Sequence, residues 1–302
     1  MSIVKGVDHS VTHFGTELPD TQNSEDTRGV EINRVGLSEF NFPMMVERPD
    51  GTVEKVKAEM SMYGSLVHSV KGTNPSRFVE VIEEYSGKAI LGLANFPELL
   101  ARLKQSVEAE DVYVSAEFDY WLPMPAPVTK KYAVAYYKAS YTGLLDRTGV
   151  YRLIQGVKVA VAAVCPCSKK LAMVDPIKEI GYGAHNQRGN VALQVQWSEG
   201  SQPASIETLV RAVEDSGSVP LYPLLKRADE KYVTEEGYKN PKFVEDIVRD
   251  TALKVRNMPG AEWFRVKCAN DESIHPHQVT AYVEQTLNKA NKEWELSGRG
   301  FF

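Results

Sequence analysis

The 302-residue sequence predicts an α+β fold made of two tandem ββααββ units with antiparallel sheets. Three observations carry this. The first half runs strand, strand, helix, helix, strand, strand, and the second half repeats the order without residue identity. The strand segments alternate apolar and polar residues with a period of two, as in Val191-Ala192-Leu193-Gln194-Val195-Gln196-Trp197. Pro75, Pro97 and Pro241 stand near the starts of the helical segments, where a missing N–H is tolerated.

Taken in order, residues 30–46 and 52–68 read as a hairpin across the turn Pro49-Asp50-Gly51. Residues 78–85 and 99–103 read as helices, and 112–118 and 132–141 return to strand composition. In the second half, 150–164 is rich in β-branched residues and 191–197 alternates. Residues 206–213 and 243–256 are helical, the latter with Asn240 as N-cap and Pro241 in its first turn. Residues 262–268 and 279–283 close the unit as strands. Each unit would cover one face of its sheet with two helices, so the other face must be buried by neighbouring units in a barrel-like oligomer. The expected boundaries are an N-terminal arm over 1–28, units over 29–145 and 146–290, and a tail over 291–302.

Hydrophobic content of 43% and charged content of 25% suit a globular chain with a substantial core. A net charge of −5 argues against broad nucleic-acid binding but leaves room for a local basic pocket around one phosphorylated ligand. The N-terminus lacks the apolar core of a signal peptide, and no run approaches the ~18 apolar residues of a membrane span. Cys165 and Cys167 stand too close in sequence to suit a disulfide, which fits a reducing cytoplasm.

Chemistry-bearing residues gather in two short segments of the second half. Val164-Cys165-Pro166-Cys167-Ser168-Lys169 is followed by Gly183-Ala184-His185-Asn186-Gln187-Arg188, and Ser273-Ile274-His275-Pro276-His277 lies downstream. Thiolate and imidazole are ligands for zinc or another transition metal. The spacing completes no closed zinc-finger site, so an open, reactive metal site is the expectation. Nearby lysines favour a thiolate, with one working and one supporting cysteine. Cys268, in an alternating strand, reads as core, and His9, His13 and His68 as structural or surface. Composition alone does not choose Glu230 or Glu245 from the 40 acidic residues. No glycine-rich phosphate loop and no Ser-His-Asp order stands out.

The segments Cys-Pro-Cys-Ser-Lys, Gly-Ala-His-Asn-Gln-Arg, Leu224-Leu225-Lys226-Arg227, Asn240-Pro241-Lys242-Phe243-Val244-Glu245-Asp246 and Ile-His-Pro-His come in this order. With Asp26-Thr27-Arg28-Gly29-Val30 and Asn33-Arg34-Val35-Gly36, they make the chain resemble the GTP cyclohydrolase IB family of the tunnelling-fold superfamily. The resemblance spans residues 26 to about 285. It implies hydrolysis of GTP to 7,8-dihydroneopterin triphosphate and formate, the first step of tetrahydrofolate biosynthesis. It also implies a homotetramer with sites at subunit interfaces. By the same resemblance a divalent ion (Zn, Mn or Fe) is held by Cys165, His185 and Glu230. Glu245 anchors the purine, His275 and His277 act at the site, and Cys165 counts among the catalytic residues. Arg188, Lys169, Lys226 and Arg227 are the triphosphate candidates by nearness to the motifs. Two departures stand out: an insertion within residues 171–177, and Asn74 where the family pattern has histidine.

Competing readings are a relative giving a cyclic phosphate product, a nitrile-reducing enzyme acting on a deazaguanine, and a purine- or metal-binding protein without catalysis. The second would need a nicotinamide cofactor and its family's lysine-serine signature, which is not seen. The third is opposed by the joint presence of Cys165, His185 and Glu230.

Overall fold

The structure, a computed structural model, describes residues 12–13, 16–17, 20–86, 91–174 and 182–297. In chain order its elements are β1 (Thr12–His13), β2 (Thr16–Glu17), β3 (Ile32–Glu47), β4 (Val53–Leu66), α1 (Pro75–Glu83), α2 (Phe96–Val107), β5 (Val112–Pro125), β6 (Tyr132–Leu145) and β7 (Tyr151–Val164). There follow α3 (Pro166–Leu171), β8 (Asn186–Trp197), α4 (Ile206–Glu214), β9 (Val219–Pro220), α5 (Arg227–Lys239), α6 (Val244–Arg256), β10 (Ala261–Asp271), β11 (Gln278–Asn288) and β12 (Glu293–Leu296). β1 and β2 pair with each other. The rest form one ten-stranded sheet in the order β12-β11-β10-β8-β7-β6-β5-β4-β3, with β9 beside β7. Every pairing is antiparallel. The α+β class is therefore what the chain adopts: β3 to β6 form one ββααββ run, β7 to β12 follow the same order with α3, β9, α5 and β12 added, and the β6–β7 ladder fuses the two sheets into one.

The alternation in sequence becomes two faces. In β4, Val56, Ala58, Met60 and Met62 are buried, whereas Lys57 and Glu59 between them are exposed. The buried set joins Phe78 and Ile82 of α1 and Leu99, Leu100 and Leu103 of α2 in the core. Leu209 and Val213 of α4 and Ile247 and Val255 of α6 do the same over Val159, Leu193 and Phe264. Each such large side chain contributes roughly 1.5–3 kcal/mol by leaving water. Gly143 lets α2 approach β6, since a Cβ there would lie 2.8 Å from Leu100 Cδ1 and 2.9 Å from Phe96 Cδ1.

The opposite face of the sheet mixes charged pairs with exposed apolar side chains, Trp121, Tyr132, Val134 and Tyr136 among them. Lys158 pairs with Glu117 and Lys138 with Asp119, each at 2.6 Å. Glu117, Lys138, Lys158, Gln194, Arg265 and Lys267 line a groove of about 630 Å³ there.

Several elements differ from the sequence reading. α3, α5, β9 and β12 were not expected. α3 has six residues, too few to show a helical period. α5 has only Asp229 and Gly237 buried, so it shows no apolar stripe. Asn240 is not the N-cap of α6. It follows α5, and its side-chain amide donates to the carbonyls of Gly217 and Ser218, both at 3.1 Å, while Phe243 caps α6. The stretch expected as a tail supplies β12, held by Trp294 against Phe264 with ring centroids 5.0 Å apart. Part of the expected arm is tied down, with Gln22 and Ser24 carbonyls accepting from Gly72 and Lys71 and the Asp26 N–H donating to Ser69. Residues 1–11, 14–15 and 18–19 of that arm, His9 among them, and residues 175–177 of the inserted loop lie outside the described residues. Among the described residues no helix is long and apolar enough to cross a membrane.

Candidate active site

The apolar run of β7 ends at Val164, and the turn beyond it is built by hydrogen bonds from several directions. β7 pairs with β6 only as far as Lys158, and β9 takes over its edge at Val161 and Ala162. Ser218 Oγ accepts the Val164 N–H at 2.9 Å, and the Val164 carbonyl accepts the Lys242 N–H at 2.9 Å. Gly217 lets this segment lie close, because a Cβ there would sit 2.6 Å from Val161 Cβ. Cys165 then caps α3, and its Sγ accepts the Ser168 N–H at 3.4 Å.

His185 is fastened to this turn. The Cys165 N–H donates to the His185 carbonyl at 3.0 Å. Ser168 Oγ donates to the Cys165 carbonyl and accepts the His185 N–H, both at 3.2 Å. Thiol and imidazole are thus carried by one clamped unit. Cys165 is half-buried and Cys167 exposed, while Cys268 is fully buried in the core, where burial pushes its thiol up to about 12.

The imidazole of His185 faces two residues the sequence reading did not single out. Its Nδ1 lies 2.8 Å from Gln187 Oε1, and Gln187 Nε2 donates to Glu272 Oε1 at 3.3 Å. Glu272 Oε2 is 3.9 Å from the same Nδ1. Gln187 had one available signal: two positions after His185, it falls on the same side of an extended chain. Glu272 also opens the β10–β11 connection, where its carbonyl accepts the His275 N–H at 3.4 Å. His275 and His277 are exposed there with stacked rings, centroids 5.1 Å apart. Arg188, exposed on β8, stands opposite Asp271 in the β8–β10 register. Bonds from Gln278 and Asn190, helped by the charge of Arg188, hold the Asp271 carboxyl below its ordinary value.

α5 and the start of α6 carry the remaining candidates. Glu230 and Glu245 are exposed, each in the first turn of its helix. Next to Glu230, Asp229 is fully buried and accepts the N–H groups of Val128 and Thr129, both at 2.8 Å, the Thr129 hydroxyl at 2.7 Å and the Lys226 N–H at 2.9 Å. Burial alone would raise this carboxyl, but the bonds from Thr129, Lys226 and Val128 outweigh it and hold it well below the usual range. Asp229 therefore caps α5 and ties it to the tip of the β5–β6 hairpin. Lys226 and Arg227, at the start of α5, are exposed. Lys169 is engaged on α5: its Nζ donates to the Tyr238 carbonyl at 2.5 Å and lies 4.3 Å from the centre of the Tyr238 ring. A groove of about 470 Å³ runs between the two parts, lined by Ala184, Gln187, Arg188, Thr234, Gly237 and Tyr238 among others. Glu230 lies one helical turn before Thr234, on the face of α5 that borders this groove.

Thiolate, imidazole and carboxylate are a donor set that fits a divalent ion. Cys165 and His185 come together within the chain. Among the described residues, however, no three of His, Cys, Asp and Glu converge closely enough in a single chain to hold a metal. Of the candidate ligands, Cys165 and His185 share the clamped turn, and Glu230 stands on α5. At position 74, Asn74 precedes α1 without a side-chain cap bond, while Arg77 of the same motif holds Glu108 at 3.0 Å beyond α2.

The family model of type I GTP cyclohydrolase folE2 matches residues 18–281. The GTP cyclohydrolase FolE2 of Geobacter sulfurreducens is 38% identical over 273 residues, covering 90% of this chain and 100% of its own length. That of Magnetococcus marinus is 39% identical over 267 residues, covering 88% of this chain and 96% of its own. Among solved structures, a uricase from Bacillus fastidious aligns with a TM-score of 0.47 at 7% identity, covering 86% of this chain and 94% of that one. The uricase from Arthrobacter globiformis aligns with a TM-score of 0.41 at 8% identity, covering 89% and 90%.

Proposed function

Because the chain belongs to the type I GTP cyclohydrolase FolE2 family, a metal-dependent group acting in folate biosynthesis, we propose that Cys165, His185 and Glu230 hold its divalent ion. The chain is a GTP cyclohydrolase, converting GTP to 7,8-dihydroneopterin triphosphate and formate. The observation that supports this site best is the clamp joining Cys165 to His185 through their backbones and Ser168. Glu230, on the groove face of α5, completes the set when copies of the chain assemble, as a homotetramer with sites between subunits. Zinc, manganese and iron all suit these donors. The protein works in the cytoplasm.

The reaction must add water at C8 of guanine, open the imidazole ring, release C8 as formate and close the pterin ring with C1′ and C2′ of the ribose. When bound, a divalent ion with three protein ligands supplies Lewis acidity that activates water near neutral pH. Glu245 accepts the guanine N1–H and N2–H as a bidentate pair and so fixes the base. The exposed pair His275 and His277 exchanges protons with the purine nitrogens, since an imidazole has one nitrogen that donates and one that accepts. Arg188 borders the groove and meets the triphosphate, with Lys226 and Arg227 at the start of α5. Lys169 joins them by exchanging the Tyr238 carbonyl for a phosphate oxygen.

The test is incubation with GTP and a divalent metal, followed by fluorescence of the oxidised pterin and by a formate assay. Formate and pterin in equal amounts are expected. Metal-dependent GTP binding without either product would overturn the assignment of chemistry to this site.

A further inference from the structure

We propose that Gln187 and Glu272 fix the tautomer of His185, and so decide that Nε2 is the nitrogen offered to a metal. The proposal rests on the reading of His185 as a metal ligand. It starts from what each group is able to do. An ionised carboxylate only accepts hydrogen bonds, whereas a glutamine amide has one accepting and one donating end. Glu272 is a carboxylate whose side chain is 9% exposed, and the amide of Gln187 stands between it and the ring. The end of Gln187 that meets Glu272 must be the donating NH2, since the reverse orientation would set its oxygen against a carboxylate oxygen. That leaves Gln187 Oε1 facing Nδ1 at 2.8 Å. An oxygen acceptor at that distance requires a proton on Nδ1, so in the neutral ring the lone pair lies on Nε2.

The carboxylate thus sets which way both the amide and the ring are polarised. Ligating histidines commonly donate their second N–H to a carboxylate or carbonyl, which orients the ring and raises its basicity. Here the partner is an amide, and the carboxylate acts through it. The second oxygen of Glu272, 3.9 Å from Nδ1, adds negative potential on the same side. Gln187 and Glu272 are thus positioning residues. Glu272 also begins the turn bearing His275 and His277, where its backbone carbonyl accepts the His275 N–H.

The experiment uses the full-length protein with ¹⁵N-labelled histidine, metal-free and at a pH where the ring is neutral. The imidazole ¹⁵N spectrum reads the tautomer, and competition against a chromophoric chelator reads zinc affinity. Wild type is expected in the Nδ1–H form. Gln187→Leu and Glu272→Ala should bring in the Nε2–H form and weaken zinc binding by about ten- to a hundredfold. Glu272→Gln, which keeps an acceptor for the Gln187 amide, should retain the wild-type tautomer and most of the affinity. A wild-type spectrum in the Nε2–H form overturns the proposal whatever the variants do. So does unchanged zinc affinity in both disrupting variants. His185→Ala separates the two readings. If it still binds zinc as wild type does, the ligand assignment fails, and the spectrum alone judges the relay. If it loses zinc while the relay variants do not, only the present inference falls.

Discussion

Thr129 and Asp229 stand 100 residues apart in sequence, yet the threonine hydroxyl donates to the aspartate carboxylate at 2.7 Å. The bond fastens the hairpin tip of the first unit to the helix that carries Glu230 in the second. Replacing Asp229 by Ala removes four hydrogen bonds at once and leaves the Val128, Thr129 and Lys226 N–H groups to find water. The thermal midpoint should fall by several degrees. Metal content should fall too, because Glu230 loses its anchored neighbour. Calorimetry and metal analysis on the same preparation check both.

The same carboxylate gives a signed pH dependence. Its folded value lies well below the ordinary 3.8. The stabilisation is therefore fully present above pH 4 or so and is lost as pH falls towards the folded value. The stability gap between wild type and Asp229→Asn should be constant from neutrality down to about pH 5 and should narrow below pH 4. A gap that widened in acid would contradict the hydrogen bonds described.

The two thiols of the cysteine turn should separate cleanly. Chelation should abolish turnover, with Zn, Mn or Fe restoring it. Cys165→Ala should lose metal and activity together, since Cys165 is held against His185. Cys167→Ala, altering an exposed side chain, should keep metal and partial activity. Metal content of both variants is the deciding measurement, and a fully active Cys165→Ala would reverse the order.

Glu245→Gln should weaken GTP binding about tenfold or more, because an amide offers one acceptor where guanine presents two donors, and each charge-assisted bond contributes roughly 1.5–3 kcal/mol. Discrimination against ATP should weaken as well. Metal content should stay normal, whereas Glu230→Gln should lose metal. The opposite pattern would exchange the roles of the two carboxylates.

Gly143→Val tests the packing of α2 on β6. Its branched side chain would push into Leu100 and Phe96, both fully buried, at a cost of about 1–3 kcal/mol. Urea denaturation should show a lower midpoint with an unchanged slope.

The strands and the amphipathic helices were legible because burial imposes a period. Val56, Ala58, Met60 and Met62 announce a half-buried strand before any coordinate is known. α5 was not legible in that way. Its position depends on Asp229, a carboxylate that reads as one solvated charge among many and turns out to be buried. The site motifs named Cys165 and His185, but Glu272 comes within reach of the imidazole only through the β8–β10 pairing, which local patterning does not reveal. The same holds for Asn240, whose neighbours suggested a cap while its amide reaches Gly217 and Ser218.

The hairpin tip held by Asp229 also bears on how this chain can be divided. The first unit contributes none of the candidate ligands, yet its residues 128 and 129 support the helix bearing Glu230. Cutting the chain in the turn between β6 and β7 would expose a sheet edge on each fragment and deprive α5 of its brace. The half without candidate ligands is the buttress of the half that carries them. The two therefore form a single inheritable unit, and neither is a module to be transplanted alone.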